Sequence, residues 1–142
     1  MVVRREVLRV RLAGLREALS RLIAIRSHPL DDAAMEWALE RGLQVAAQSL
    51  FDIGNLVLAG AFGDRPADYA SIPVALCRHR VIGDGLEAKL RGLAGLRNRL
   101  VHDYARVDPE RVREALASRL EDLAEFADAV ETWLDRQPPE SG

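Results

Sequence analysis

Arg97, His102 and Tyr104 fall within the eight-residue stretch Arg97-Asn98-Arg99-Leu100-Val101-His102-Asp103-Tyr104. An arginine can grip a phosphate and stabilise charge on its oxygens, and a histidine can transfer protons near neutral pH. On RNA the neighbouring 2′-hydroxyl can be the nucleophile, so the protein need not supply one. A tyrosine beside them could stack on a base, hydrogen-bond a phosphate, or accept a group through its hydroxyl. The set suits phosphodiester cleavage without a metal. It is equally compatible with three side chains that only knit a helix end together. Other templates fit less well. His28, His79 and His102 show no ligand spacing, Cys77 has no paired histidine motif, and no glycine-rich phosphate loop follows a strand. No cofactor is expected.

The run that carries the motif is helical in period. At about 100° per residue, Leu86, Leu90, Leu93, Leu100 and Val101 share one apolar stripe, and Arg97 and Tyr104 fall in the middle of it. A guanidinium directed into a core needs an anion, a carbonyl or a ring there, because an unpaired buried charge is costly. His102 lies about 140° around a regular helix from Arg97. Either the helix breaks near Val101, or two copies of the chain combine their residues at an interface.

The long preceding helix, from Asp31 or Asp32 to about Ala59, has a matching peculiarity. Arg41, Gln44, Gln48, Asp52 and Asn55 fall within an arc of about 80°, with Trp37 on the same line. Most of the remaining surface is apolar. A narrow polar stripe on so apolar a helix is either a solvated strip or the lining of a cavity or interface. Its amides suit hydrogen bonding in a confined place. Asp52 could pair with Arg41, or across the bundle with Arg97.

The other elements follow from the same periodicity. Leu8, Leu12, Leu15, Leu19 and Leu22 mark a first helix over about Val3 to Arg26, ended by Ser27-His28-Pro29. His28 reads as a turn residue. Gly60-Ala61-Phe62-Gly63-Asp64-Arg65-Pro66 reads as a loop. A short helix starts between Ala67 and Pro73 and ends at Gly83-Asp84-Gly85, which opens the motif helix. Arg78-His79-Arg80 is either a solvated helix end or an auxiliary phosphate contact. Asp108-Pro109-Glu110 starts the last helix, with Val112, Leu116, Leu120, Leu123, Ala127, Val130 and Leu134 on its apolar face. The expected fold is all-α: an antiparallel bundle of four long helices and one short one, in a single domain over residues 1–137 with a tail at 138–142.

Composition sets limits. The chain has 142 residues, 49% hydrophobic and 30% charged, with a formal net charge of −2. That balance provides no global positive field, so any RNA contact must come from a local arginine cluster. Lys89 is the only lysine; every other basic side chain is arginine. The single Cys77 excludes an intramolecular disulfide. No uninterrupted apolar run reaches about 18 residues and no leader pattern is visible. A cytoplasmic protein without a membrane partner is expected.

The spacing of Arg97, His102 and Tyr104, with Asn98 directly after the arginine, resembles the signature of the HEPN superfamily. The HepT-like branch, the toxin component of MntA–HepT toxin–antitoxin pairs, resembles it further. Arg41-Gly42-Leu43-Gln44 through Gln48, Asp52, Ile53, Gly54 and Asn55 looks like that branch, as does Tyr104-Ala105-Arg106-Val107-Asp108. The likeness covers roughly Asp31 to Val130. It implies a homodimeric helical bundle acting as a metal-independent endoribonuclease. Arg97 would hold the scissile phosphate of an RNA substrate, His102 would handle the proton, and Asn98 would support the site. It also implies a minimal nucleotidyltransferase antitoxin that transfers AMP from ATP onto Tyr104. In the homodimer, Asp52 and the stripe of Arg41, Gln44, Gln48 and Asn55 would floor the shared cleft. The competing expectation is a non-catalytic helical dimer that binds nucleotide or a nucleotidyltransferase partner.

Overall fold

The computed structural model describes residues 4–26, 33–102 and 109–138, without side chains at 99–102, 109–113 and 115–117. It contains five helices: α1 (Arg5–Arg26), α2 (Ala33–Phe62), α3 (Ser71–Arg78), α4 (Asp84–His102) and α5 (Pro109–Asp135). No strand occurs among the described residues. Four long helices and one short one, as the apolar periodicity predicts, make an all-α fold.

Among the described residues each long helix buries apolar side chains that its sequence spaces at three and four, while the side chains of Leu100, Val101, Val112 and Leu116 lie outside them. Leu8, Leu12, Leu15, Leu19 and Leu22 of α1 enter one core with Leu90 and Leu93 of α4 and Leu120, Leu123, Phe126, Val130 and Leu134 of α5. The organising element is α2, which packs against every other helix. Leu39, Leu43, Ala46, Leu50, Phe51, Ile53, Val57 and Leu58 on it are all fully buried. By length and composition alone α2 could cross a bilayer, but here those residues meet the other four helices.

Two close approaches set how α2 sits. A Cβ at Gly42 would lie 2.7 Å from Leu22 Cδ2, and one at Gly54 would lie 2.5 Å from Ile72 Cγ2. Those glycines let α1 and α3 come close to the α2 backbone. Along the outside, α1 and α5 are antiparallel and cross-linked by charge. Arg9 pairs with Asp135 at 3.2 Å, and Arg16 reaches Asp128 at 2.7 Å and Glu131 at 2.8 Å.

Element boundaries differ from the sequence reading in two places. Gly60, Ala61 and Phe62, expected in a loop, are the last turn of α2. The Phe62 ring explains the extension, since it stacks on His79 at 4.2 Å and lies 6.0 Å from Trp133. The chain leaves the helix at Gly63, whose φ of 61° is open to glycine at little steric cost. The short helix also ends early, at Arg78 rather than at Gly83-Asp84-Gly85. Arg80 there takes a left-handed φ of 61°, and the Val81 N–H turns back onto the Leu76 carbonyl at 2.9 Å. The Asp31 and Asp32 caps, His28 and Asp108 lie outside the described residues.

Candidate functional site

Arg97 enters the bundle from α4 and meets a neutral partner. Its Nε donates to Gln48 Oε1 of α2 at 2.8 Å. Gln48 in turn donates through Nε2 to Asp52 Oδ1 at 2.9 Å, one helical turn further along α2. The guanidinium carbon lies 4.6 Å from the centroid of the Tyr69 ring, on its face. One terminal nitrogen makes a long contact of 3.4 Å with Asn98 Oδ1. Of the anion, carbonyl or ring that an inward-facing arginine needs, the fold supplies the last two. Among the described residues the other terminal nitrogen has no hydrogen-bond partner.

This corrects the expected role of Asp52. Its carboxylate pairs with neither Arg97 nor Arg41 among the described residues. It fixes the Gln48 amide, so that the carbonyl faces the arginine and the NH₂ faces the acid. A residue one turn closer along the same stripe took the contact.

Tyr69 is the contributor that periodicity could not reveal, because it sits in the connection before α3. The local chemistry holds it firmly. Asp68 Oδ1 accepts from the Ser71 backbone N–H at 2.8 Å and from the Ser71 hydroxyl at 2.6 Å. Those bonds keep the Asp68 carboxyl below the usual carboxylate range. The Tyr69 carbonyl accepts from the Ile72 N–H at 3.1 Å, and the ring rests 4.9 Å from buried Phe51. One face therefore packs on the core while Arg97 lies over the ring. Scarcity was the available signal: Tyr69 and Tyr104 are the only tyrosines.

Beside this cluster is a cleft of about 620 Å³ lined by Asn55, Asp68, Tyr69, Ala94 and Asn98, among others. Asn98 and Asn55 are thus brought to one place, from α4 and α2. Gln44 and Arg41 are not at Arg97. They lie about 6 and 10 Å back along α2 from Gln48 by helical rise, and neither hydrogen-bonds Arg97 among the described residues. Trp37, on the same line, is 63% exposed. Helix α4 continues unbroken through His102, so the break near Val101 that would have turned His102 towards Arg97 is absent. The backbone turns about 140° between the two positions. The His102 side chain and all of Tyr104 lie outside the described residues.

Two other groups singled out by the sequence have structural partners. Asp64 Oδ2 receives Arg78 at 2.7 Å and His79 Nε2 at 3.0 Å, and these bonds, His79 foremost, hold its carboxyl below the usual range. Arg78 and His79 therefore brace the turn after α2 rather than wait for phosphate. The Cys77 thiol donates to Asp84 at 3.1 Å, and this bond to an anion pushes the thiol up, away from nucleophilic use.

Family comparison joins this geometry to known proteins. The family model described as Ribonuclease HepT-like matches residues 15–130. This chain belongs to the HepT-like family. The match takes in Gln48, Asp52, Tyr69, Arg97, Asn98, His102 and Tyr104 together. A curated HepT-like relative, the tRNA nuclease HepT of Aphanizomenon flos-aquae (strain 2012/KM1/D3), is 26% identical over 95 residues. That alignment covers 67% of this chain and 65% of the relative, so just under two thirds of the relative's length is matched. Among solved structures, YutE from Bacillus subtilis, a cytosolic protein of unknown function, matches over 100% of both chains with a TM-score of 0.85 and 21% identity. A tri-AMPylated Shewanella oneidensis HEPN toxin in complex with MNT antitoxin matches with a TM-score of 0.80 and 21% identity, over 89% of this chain and 97% of that one. Both share the HepT-like fold described above.

Proposed function

We propose that this HepT-like chain is the toxin of a toxin–antitoxin pair, an endoribonuclease silenced when a nucleotidyltransferase partner transfers AMP to Tyr104. The observation that carries the reading is Arg97, a cation held by Gln48 and Tyr69 with one terminal nitrogen unpartnered among the described residues, in a chain similar to a tRNA nuclease.

In this reading that terminal nitrogen of Arg97 binds a non-bridging oxygen of the scissile phosphate and stabilises charge on it in the transition state. His102 accepts the proton of the ribose 2′-hydroxyl as the 2′-oxygen attacks phosphorus. The bond from phosphorus to the 5′-oxygen breaks, that oxygen takes up a proton, and a 2′,3′-cyclic phosphate and a 5′-hydroxyl result. Because regular helix separates Arg97 from His102 by about 140°, the reading places them together across a two-fold axis, in a homodimer. Gln48, Asp52 and Asn55 then line the shared cleft. Silencing is a second phosphoryl-group reaction: the Tyr104 oxygen attacks the α-phosphorus of ATP, pyrophosphate leaves and the phenolic proton is lost. A complex with an antitoxin of this kind is known for the Shewanella oneidensis toxin of the same fold.

The test combines mass and activity. The chain is expressed alone and with its neighbouring gene, and intact mass with peptide mapping is read on both samples. The expected result is added AMP on Tyr104 only after co-expression. RNA cleavage is expected from the unmodified chain, to be lost in Arg97→Ala and in His102→Ala with the fold intact. Cleavage unchanged in both variants would remove Arg97 and His102 from the reaction, and no cleavage by the unmodified chain would leave a binding partner of the nucleotidyltransferase.

A further inference from the structure

Four arginines on α1 and just before it fall into two sets. Arg9 and Arg16 point to α5 and are matched there by Asp135, Asp128 and Glu131. Arg4 and Arg11, seven residues apart and so on one side of the chain, line a groove of about 620 Å³ against the end of α2. Arg65, from the turn after α2, lines it too. All three are exposed, and none makes an ion pair or side-chain hydrogen bond among the described residues. In a chain whose net charge is −2, three unmatched arginines around one groove are a local positive site. Asp52 also lines it, and the amide of Gln48 that it accepts from leaves its charge in place, so three cations and one anion leave the lining with a net charge of about +2.

The groove leads to the site. Asn55 lines it and also lines the separate cleft that contains Tyr69 and Asn98. From Gln48, the anchor of Arg97, to Asn55 is about 10 Å along α2. Arg4 and Arg11 are spread over a similar length, with Arg65 contributed by a different segment. That spread is too wide for one phosphate and suits a chain of them. Exposed Val7 and Leu56 on the groove wall offer apolar surface to a ribose or base.

We propose that this groove holds the phosphodiester backbone of the RNA strand leading into the Arg97 cleft, with Arg4, Arg11 and Arg65 as its phosphate contacts. The proposal rests on the RNA-cleaving reading above. It gives a net acidic protein a local means of binding a polyanion.

The test measures fluorescence anisotropy of a labelled single-stranded RNA on the full-length His102→Ala protein over a range of salt. It compares this parent with R4Q/R11Q/R65Q and with a charge-matched control, R21Q/R80Q/R136Q, all checked for fold by circular dichroism. The expected result is at least tenfold weaker binding by the groove variant at low salt. Its plot of log affinity against log salt should be shallower by about 2, since each single-strand phosphate contact contributes about 0.7. The control should match the parent. Unchanged affinity and slope in a folded groove variant, or an equal loss in the control, would overturn the groove while leaving the nuclease reading standing. No RNA binding by the parent itself would overturn both.

Discussion

The Arg97 guanidinium lies over the Tyr69 ring at 4.6 Å, which ties the motif helix α4 to the connection before α3. Neither residue is near the other in sequence, and the contact depends on a well-held loop rather than a helix face. Replacing Tyr69 by Leu removes the ring but keeps apolar bulk. A cation–π contact of this partly buried kind is worth about 0.5–2 kcal/mol, so RNA cleavage (kcat/KM) by Tyr69→Leu should fall about two- to thirtyfold. Tyr69→Phe keeps the ring and should restore most of the rate. Equal loss in both variants would show that the ring face plays no part.

The unbroken course of α4 through His102 gives the homodimeric reading a sharp consequence. Arg97→Ala and His102→Ala proteins, each inactive alone, should regain cleavage when mixed and allowed to exchange subunits. Random mixing gives one intact composite site in half of the molecules, so about a quarter of the wild-type rate is expected if composite sites act independently. A mixture as inactive as its parts would place both residues in one chain's site.

Gly54 and Gly42 should respond differently to alanine. At either position alanine gains up to about 1 kcal/mol of helix propensity. At Gly54 the new Cβ meets the branched Ile72 side chain at 2.5 Å, and overpacking of that kind costs about 1–3 kcal/mol. The clash should win, lowering the melting temperature by several degrees and loosening the segment that carries Tyr69. At Gly42 the contact is the flexible tip of Leu22, at 2.7 Å and near the end of α1. That side chain can move, so Gly42→Ala should stay within about 1 kcal/mol of the parent. Thermal melts of the two variants make the comparison.

Acid should weaken the turn at Asp64. Its carboxyl is held below the usual range, first by His79 and then by Arg78. A carboxylate depressed on folding adds stability above its unfolded pKa and loses it as pH falls through the folded value. Asp64→Asn should therefore melt lower than the parent at pH 7, with the gap narrowing once pH drops below about 4. A gap that stays constant down to strong acid would mean that Asp64 acts through its shape alone.

Much of the fold was legible in apolar spacing, because each helix buries one stripe and the period is visible without partners. Leu8 to Leu22 and the helix start at Pro109 are plain in the chain. What periodicity could not weigh was packing at helix ends. Gly60 suggested a stop, yet a glycine costs only about 1 kcal/mol in a helix, and the Phe62 contacts with His79 and Trp133 favour one more turn. On the polar stripe of α2 the direct partner for Arg97 is Gln48 rather than Asp52. Residues one turn apart on a single stripe are not separated by angle, only by where the opposing helix crosses. Tyr69 had no period to betray it, since loops place side chains by turn chemistry.

Gln48 stands between a cation and an anion, and the order of the three side chains matters. Had Asp52 touched Arg97 directly, the two charges would have closed into a salt bridge. An amide in the middle passes on orientation without passing on charge. The acid sets the amide's direction and the amide sets the arginine's. Rigidity and affinity, which usually compete for the same side chain, are here divided between two neighbours on one helix.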